Sequence, residues 1–166
     1  MRDMPPIVAF VLLAACIGVV VYATGNVPGG GAPPGGAPGA PVSFSILASG
    51  AHSSVAARKN YLITSENQLR ELWKLVDVGG SPPTVDFSIY QVLAVFTGTE
   101  PSAGYAIAIT KVADGKERMV SVQITAPGVS CLAATTLTAP YEIVRLTATT
   151  LAYTHEDTAT TTSCLR

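Results

Sequence analysis

Histidine is almost missing from this sequence: His52 and His155 are the only two in 166 residues. His52 stands in Gly50-Ala51-His52-Ser53-Ser54 and His155 precedes Glu156-Asp157, so neither has the spacing of a metal-ligand set. A hydrolytic triad would have to recruit one of them from a segment that reads as loop or tail. Gly-x-Ser-x-Gly, His-Glu-x-x-His, the phosphate loop and the dinucleotide fingerprint are all absent. Asp86 has no second acid at a recognisable spacing and reads as a turn or cap residue. The chain is therefore read as non-enzymatic, with no cofactor and no metal. An excess of positive charge is lacking too, since ten basic side chains face eleven acidic ones without a basic patch. That balance argues against a nucleic-acid partner.

Charge is wholly missing from two N-terminal stretches. Ile7 to Ala23 is apolar with only Gly18 as a breaker, just long enough to cross a bilayer as a helix. Residues 1–24 are expected to be a membrane anchor or signal. Leu13-Ala14-Ala15-Cys16 resembles a lipoprotein processing box, in which Cys16 would be lipidated; the apolar run that continues through Tyr22 favours an uncleaved anchor. Arg2 precedes the run and no basic residue follows it until Arg58, which places the C-terminal part outside, as a single-pass extracytoplasmic domain. Gly25 to Pro41 is Gly, Pro, Ala, Asn and Val alone, and reads as a disordered spacer over residues 25–41. Beyond the anchor only Cys131 and Cys164 remain, an even number in an oxidising compartment, so a disulfide between them is expected.

Residues 42–166 are expected to form one folded domain. Val92 to Phe96 is a continuous apolar run and reads as a central strand buried on both faces. Tyr105 to Val112 and Met119 to Thr125 alternate, with Asp114-Gly115 as the turn between them, and the order of the three suggests an antiparallel meander. Strands are also expected at Phe44 to Ala48, at Asn60 to Thr64 and at Tyr141 to Leu146, with a further one possible at Thr149 to Tyr153. Ser65-Glu66-Asn67-Gln68 has the spacing of a capping box, and Leu69, Leu72, Trp73 and Val76 recur at helical spacing. The segment Glu66 to Val76 thus reads as one amphipathic helix with Trp73 as its packing anchor. The threonine-rich tail, Thr154 to Ser163, would be mobile if nothing held it. The resulting fold class is α+β, an antiparallel meander-rich domain with one packed helix.

Several of these pieces together resemble one family. They are Gly50-x-His52-Ser53, Leu62-Ile63-x-Ser65, Leu69-x-x-Leu72-Trp73, Val85-Asp86-Phe87, Val92 to Phe96, Gly98-x-x-Pro101-Ser102-Ala103-Gly104-Tyr105, and Pro140-Tyr141-x-Ile143-Val144. Their order and spacing resemble the C-terminal domain of PrcB, a subunit of a bacterial proteinase complex, from about Ser49 to Leu146. The resemblance implies a small non-catalytic α+β domain on secreted or anchored proteins, assisting assembly or stability of a protease or another envelope protein. Where relatives usually show two glycines before the Tyr, this chain has Ala103-Gly104, which leaves the turn possible if Ala103 keeps a negative φ.

The loop Pro101, Ser102, Ala103, Gly104, Tyr105 is the candidate partner-binding site, because Gly and Ser allow close backbone approach and Tyr offers a rigid contact. It is also similar to the Pro-Thr-Thr-Gly-Tyr loop of chagasin-like cysteine protease inhibitors, immunoglobulin-like domains, with Pro140 and Tyr141 standing for their Pro-aromatic pair. The helix does not suit that fold. For Tyr105 and Tyr141 the competing reading is simple packing at a core edge.

Overall fold

The computed structural model describes residues 39–164; the expected anchor at 1–24 and the spacer up to residue 38 lie outside the described residues. The last spacer residues, Ala40–Pro41, form a two-residue strand, β1. It is followed by β2 (Phe44–Gly50), β3 (Lys59–Ile63), α1 (Glu66–Trp73), β4 (Tyr90–Phe96), β5 (Ala106–Asp114), β6 (Arg118–Pro127), β7 (Tyr141–Thr147) and β8 (Tyr153–Thr162). The strands make two four-stranded sheets, sheet I in the order β1-β5-β6-β8 and sheet II in the order β2-β7-β4-β3. The domain is mostly β, with one short helix, and this corrects the α+β expectation.

The reason lies in β4. Val92, Leu93, Ala94, Val95 and Phe96 are all between 0 and 4% exposed, so both faces of this strand need a cover. On one face Val92, Ala94 and Phe96 join Tyr141 and Ile143 of β7 and meet Leu69, Leu72 and Trp73 of the helix. On the other, Leu93 and Val95 join Val144 and Leu146 and meet Ile107, Ile109, Val112, Val120 and Val122 of sheet I. Helix, sheet II and sheet I therefore stack in that order. Each fully buried side chain of this size contributes about 1.5–3 kcal/mol of hydrophobic stabilisation.

The expected meander is not formed. Strands β5 and β6 make the antiparallel hairpin, but β4 pairs antiparallel with β3 and β7 in the other sheet, and the segment between Phe96 and Ala106 crosses from one sheet to the other. Alternation identifies a strand and not its neighbour. The tail departs further, because Tyr153–Thr162 is a strand paired in parallel with β6 along its whole length, from Arg118↔Tyr153 to Pro127↔Thr162. An edge strand needs no apolar face, and β-branched threonine suits one.

Locally the sequence signals hold with adjustments. Ser65 caps the helix, its hydroxyl accepting from Gln68 N at 3.4 Å, while Gln68 Oε1 accepts from Thr64 N at 2.8 Å, one residue before the cap. The helix ends at Trp73, and Val76 instead bridges Ser53. Asp86 makes the expected turn, accepting from Ser88 N and Ser88 Oγ, which hold its carboxyl below the usual range. In β2 a register shift between Ile46 and Ala48 breaks the alternation. Ala48 joins the helix-side core, whereas Ile46 is left 58% exposed on the sheet edge.

Candidate partner-binding surface

The crossing from β4 to β5 is built on fixed points. Thr97 N donates to Pro140 O at 3.0 Å, and Thr99 N donates to Ala56 O at 3.1 Å. Between them Gly98 has φ +89°, and a Cβ there would come 2.8 Å from Ala56 O, so no other residue fits without a shift. Glu100 and Thr138 exchange two backbone hydrogen bonds, of 2.7 and 3.1 Å. Burial pushes the Glu100 carboxyl up.

The loop that follows leans on a second loop, the segment between β6 and β7. Thr138 Oγ1 donates to Ser102 O at 2.9 Å, and Ala103 N donates to Ala134 O at 2.9 Å. Gly104 takes the left-handed conformation at φ +92°, with Pro127 packed under it, and no residue other than glycine has positive φ among the described residues. Ala103 thus keeps a negative φ, and the turn tolerates it. Pro101 and Gly104 are exposed, whereas Ser102, Ala103 and Tyr105 are half-buried.

The second loop is stapled. Cys131 and Cys164 are disulfide-bonded across 33 residues, with their Cα atoms 5.1 Å apart, and Gly128 N donates to Thr162 O at 3.0 Å. The bond joins the loop to the end of β8, and a shallow cleft of about 280 Å³ lies between Gly104, Pro127 and the disulfide. Leu132 lines it and is fully exposed; in the same loop Val129 is fully exposed and Leu137 is 65% exposed. These three apolar side chains escaped the sequence reading, which gave this segment no role beyond the disulfide of Cys131. The available signal was a valine and a leucine flanking Cys131 in a segment with no strand pattern. No residue of Pro101 to Tyr105 or of Gly128 to Thr138 carries a charge.

Pro140 and Tyr141 are placed elsewhere. Both are buried, and Tyr141 is 2% exposed, stacked on Phe96 with ring centroids 6.0 Å apart. For Tyr141 the structure supports the packing reading. Its ring lies over Gly50, where a Cβ would meet the hydroxyl at 2.8 Å. Among the described residues no group of three or more His, Cys, Asp or Glu is placed to hold a metal ion.

Residues 91–147 match the PrcB C-terminal family. The matched segment runs from Gln91 in β4 to the end of β7. It contains both loops and Cys131, but not β1 to β3, the helix, β8 or Cys164. No curated protein and no solved structure matches the chain.

Within that segment one buried acid of β7 bonds across to β5 of the other sheet. Glu142, 6% exposed, accepts from Ile109 N at 2.7 Å, beside the register shift of β5. It supplies an acceptor for a backbone amide that the sheet leaves over. Burial pushes its carboxyl up, and the Ile109 hydrogen bond offsets this only in part. A raised native value means that the folded state holds the proton more readily. The favourable contribution is then complete below the ordinary glutamate value and is lost as pH rises through the native one. Glu142→Gln keeps an acceptor and removes the charge, so its stability relative to wild type is expected to improve from mildly acidic to neutral pH. Thermal unfolding of both proteins across that range checks this, and a constant difference would remove the titration from the account. Glu142→Ala orphans the Ile109 amide and is expected to cost about 1–3 kcal/mol at either pH.

Proposed function

We propose that this chain is a non-catalytic, membrane-tethered protein-binding module, which assists the assembly or stability of an extracytoplasmic partner such as a protease. The observation that carries the reading is the pair of fully exposed apolar side chains, Val129 and Leu132, held beside the Pro101–Tyr105 loop by a disulfide. Exposed apolar side chains that a crosslink holds in place gain contact area on binding with little ordering cost. The tether is the apolar run at residues 7–23, either uncleaved or replaced by a lipid on Cys16. Inhibition of a cysteine protease by the same loop is the second reading. It is favoured by the loop joining strands of two facing sheets and disfavoured by the burial of Tyr141.

Crosslinking in membranes that carry the full chain tests the proposal. Leu132→Asp and Val129→Asp are expected to abolish partner recovery while leaving thermal unfolding nearly unchanged, because surface changes of this kind stay within about 0.5 kcal/mol. Tyr105→Ala is expected to weaken binding by roughly 2 kcal/mol or more if the ring is at the interface centre. Recovery should survive high salt, since the surface carries no charge. Full recovery by both aspartate variants would sink the proposal, and a chain that leaves the membrane fraction would sink the tether. A papain-like protease added to the wild-type chain separates the second reading, for which cleavage should stop near stoichiometric amounts.

A further inference from the structure

Strand β3 is the last strand of sheet II, so among the described residues one of its backbone edges has no strand neighbour. The other edges are blunted. The two-residue β1 contains Pro41, β2 is interrupted by its register shift, and β8 carries hydroxyl or charged side chains at most positions of both faces. Such features are the usual protection against pairing with another chain. The five residues Lys59-Asn60-Tyr61-Leu62-Ile63 have neither proline nor bulge, and Leu62 is 40% exposed.

A cleft opens on each face of this edge. Lys59, Tyr61 and Ile63 pair with Phe96, Ala94 and Val92, which belong to the helix-side core, so their side chains face the helix. On that side a cleft of about 520 Å³ is walled by Tyr61, Ile63, Leu72 and Leu75, with Gln68 and Glu71 at its helix side, the latter paired with Lys74 at 2.7 Å. Asn60 and Leu62 pair with Val95 and Leu93 of the inter-sheet core and face sheet I. There a cleft of about 410 Å³ is walled by Leu62, Leu93, Val120 and Tyr153. Arg58, held by two bonds to Asp157 of 2.9 and 2.7 Å, ties the beginning of β3 to β8 beside this cleft. An added strand sends alternate side chains to opposite faces, so it needs both a free edge and a pocket on each side. Both are present at β3.

Charge narrows the occupant. Lys59 is in no ion pair among the described residues, and its ammonium lies 4.9 Å from the centroid of the Tyr61 ring, at the start of the helix-side row. We infer that β3 accepts, by strand addition, an extended peptide with an acidic side chain opposite Lys59 and apolar side chains in the two clefts. A second copy of this chain fits less well, because pairing β3 with itself supplies lysine and no acid from the strand. This site is separate from the uncharged loops and stands or falls independently of them.

The test titrates the full chain with an acetylated, amidated pentapeptide Glu-Leu-Val-Leu-Val, whose Glu meets Lys59 when it adds parallel to β3 and whose odd and even positions then serve the two clefts. Its counterpart begins with Lys, and a third version is N-methylated at alternate amides. The acidic peptide is expected to bind with shifts of the Tyr61 to Ile63 backbone amides in NMR spectra. The lysine peptide should bind roughly tenfold more weakly, and Lys59→Glu should reverse that order. The N-methylated peptide should not bind, which tests the strand pairing without altering the protein. Equal binding of the acidic and basic peptides, binding of the N-methylated one, or no binding at millimolar peptide would overturn the inference. So would a chain that self-associates through β3 in the absence of peptide.

Discussion

Asp114→Ala is expected to lower stability by about 3 kcal/mol or more, roughly 10 °C in Tm, although the residue lies at a surface turn. Its carboxylate makes a two-point contact with Arg118, of 2.6 and 2.7 Å. The exposures are unequal: the Arg118 side chain is 3% exposed and that of Asp114 is 28% exposed. The guanidinium also donates to Thr147 O and to Tyr153 Oη, and Tyr153 Oη donates to Gln91 Oε1 at 2.9 Å. One buried cation thus ties β4, β5, β6, β7 and β8 at one end of the stacked sheets. Removing the acid leaves the charge buried with neutral partners only, whereas Arg118→Met leaves an acid that water can reach. The loss should therefore be larger for Asp114→Ala than for Arg118→Met, and the double variant should recover part of it. Denaturant unfolding of the three variants measures the coupling, and additive losses would refute it. Arg118 holds the Asp114 carboxyl below its ordinary value. This contribution is present above the ordinary aspartate value and is lost as pH falls through the lowered one.

Arg118 also marks where sequence reasoning stops. Alternation in Met119 to Thr125 gives the strand but says nothing of a charge at its first position, since a buried arginine is recognisable only through partners far along the chain. The same holds for Glu142, which stands at the unassigned position of Pro140-Tyr141-x-Ile143-Val144 and is explained by Ile109 in the opposite sheet. What was legible was local: the cap at Ser65, the Asp86 turn, and the positions of β4, β5, β6 and β7. Strand partners were not, because period fixes the faces of a strand and leaves its neighbour open. A strand buried on both faces in a domain whose described residues hold one short helix demands a second sheet, so β4 carried more information than its pattern alone suggests. The loop at Pro101 to Tyr105 was visible through its Pro and Gly. Its neighbour at Gly128 to Leu137 was not, because exposure of an apolar side chain is a property of the fold.

Joint replacement of Cys131 and Cys164 by Ala is expected to cost about 4 kcal/mol by the loop-entropy estimate for their separation of 33 residues. The global figure is the smaller part of the expected result. The disulfide attaches the end of β8 to the loop that carries Val129 and Leu132, and the backbone bond from Gly128 N to Thr162 O lies close to it. Without it the two segments are expected to loosen first. Hydrogen exchange should accelerate at Gly128 to Leu137 and at Thr158 to Thr162 before it changes in β4 or β7, whose amides lie in the core. Binding at this surface would then carry the cost of ordering the loop, and partner recovery should fall under conditions in which the domain is still folded. Reduction of the wild-type protein should reproduce both effects. Uniform acceleration of exchange would assign the disulfide to global stability alone. Unchanged recovery with a loosened loop would remove Val129 and Leu132 from the interface, whatever the stability of the rest.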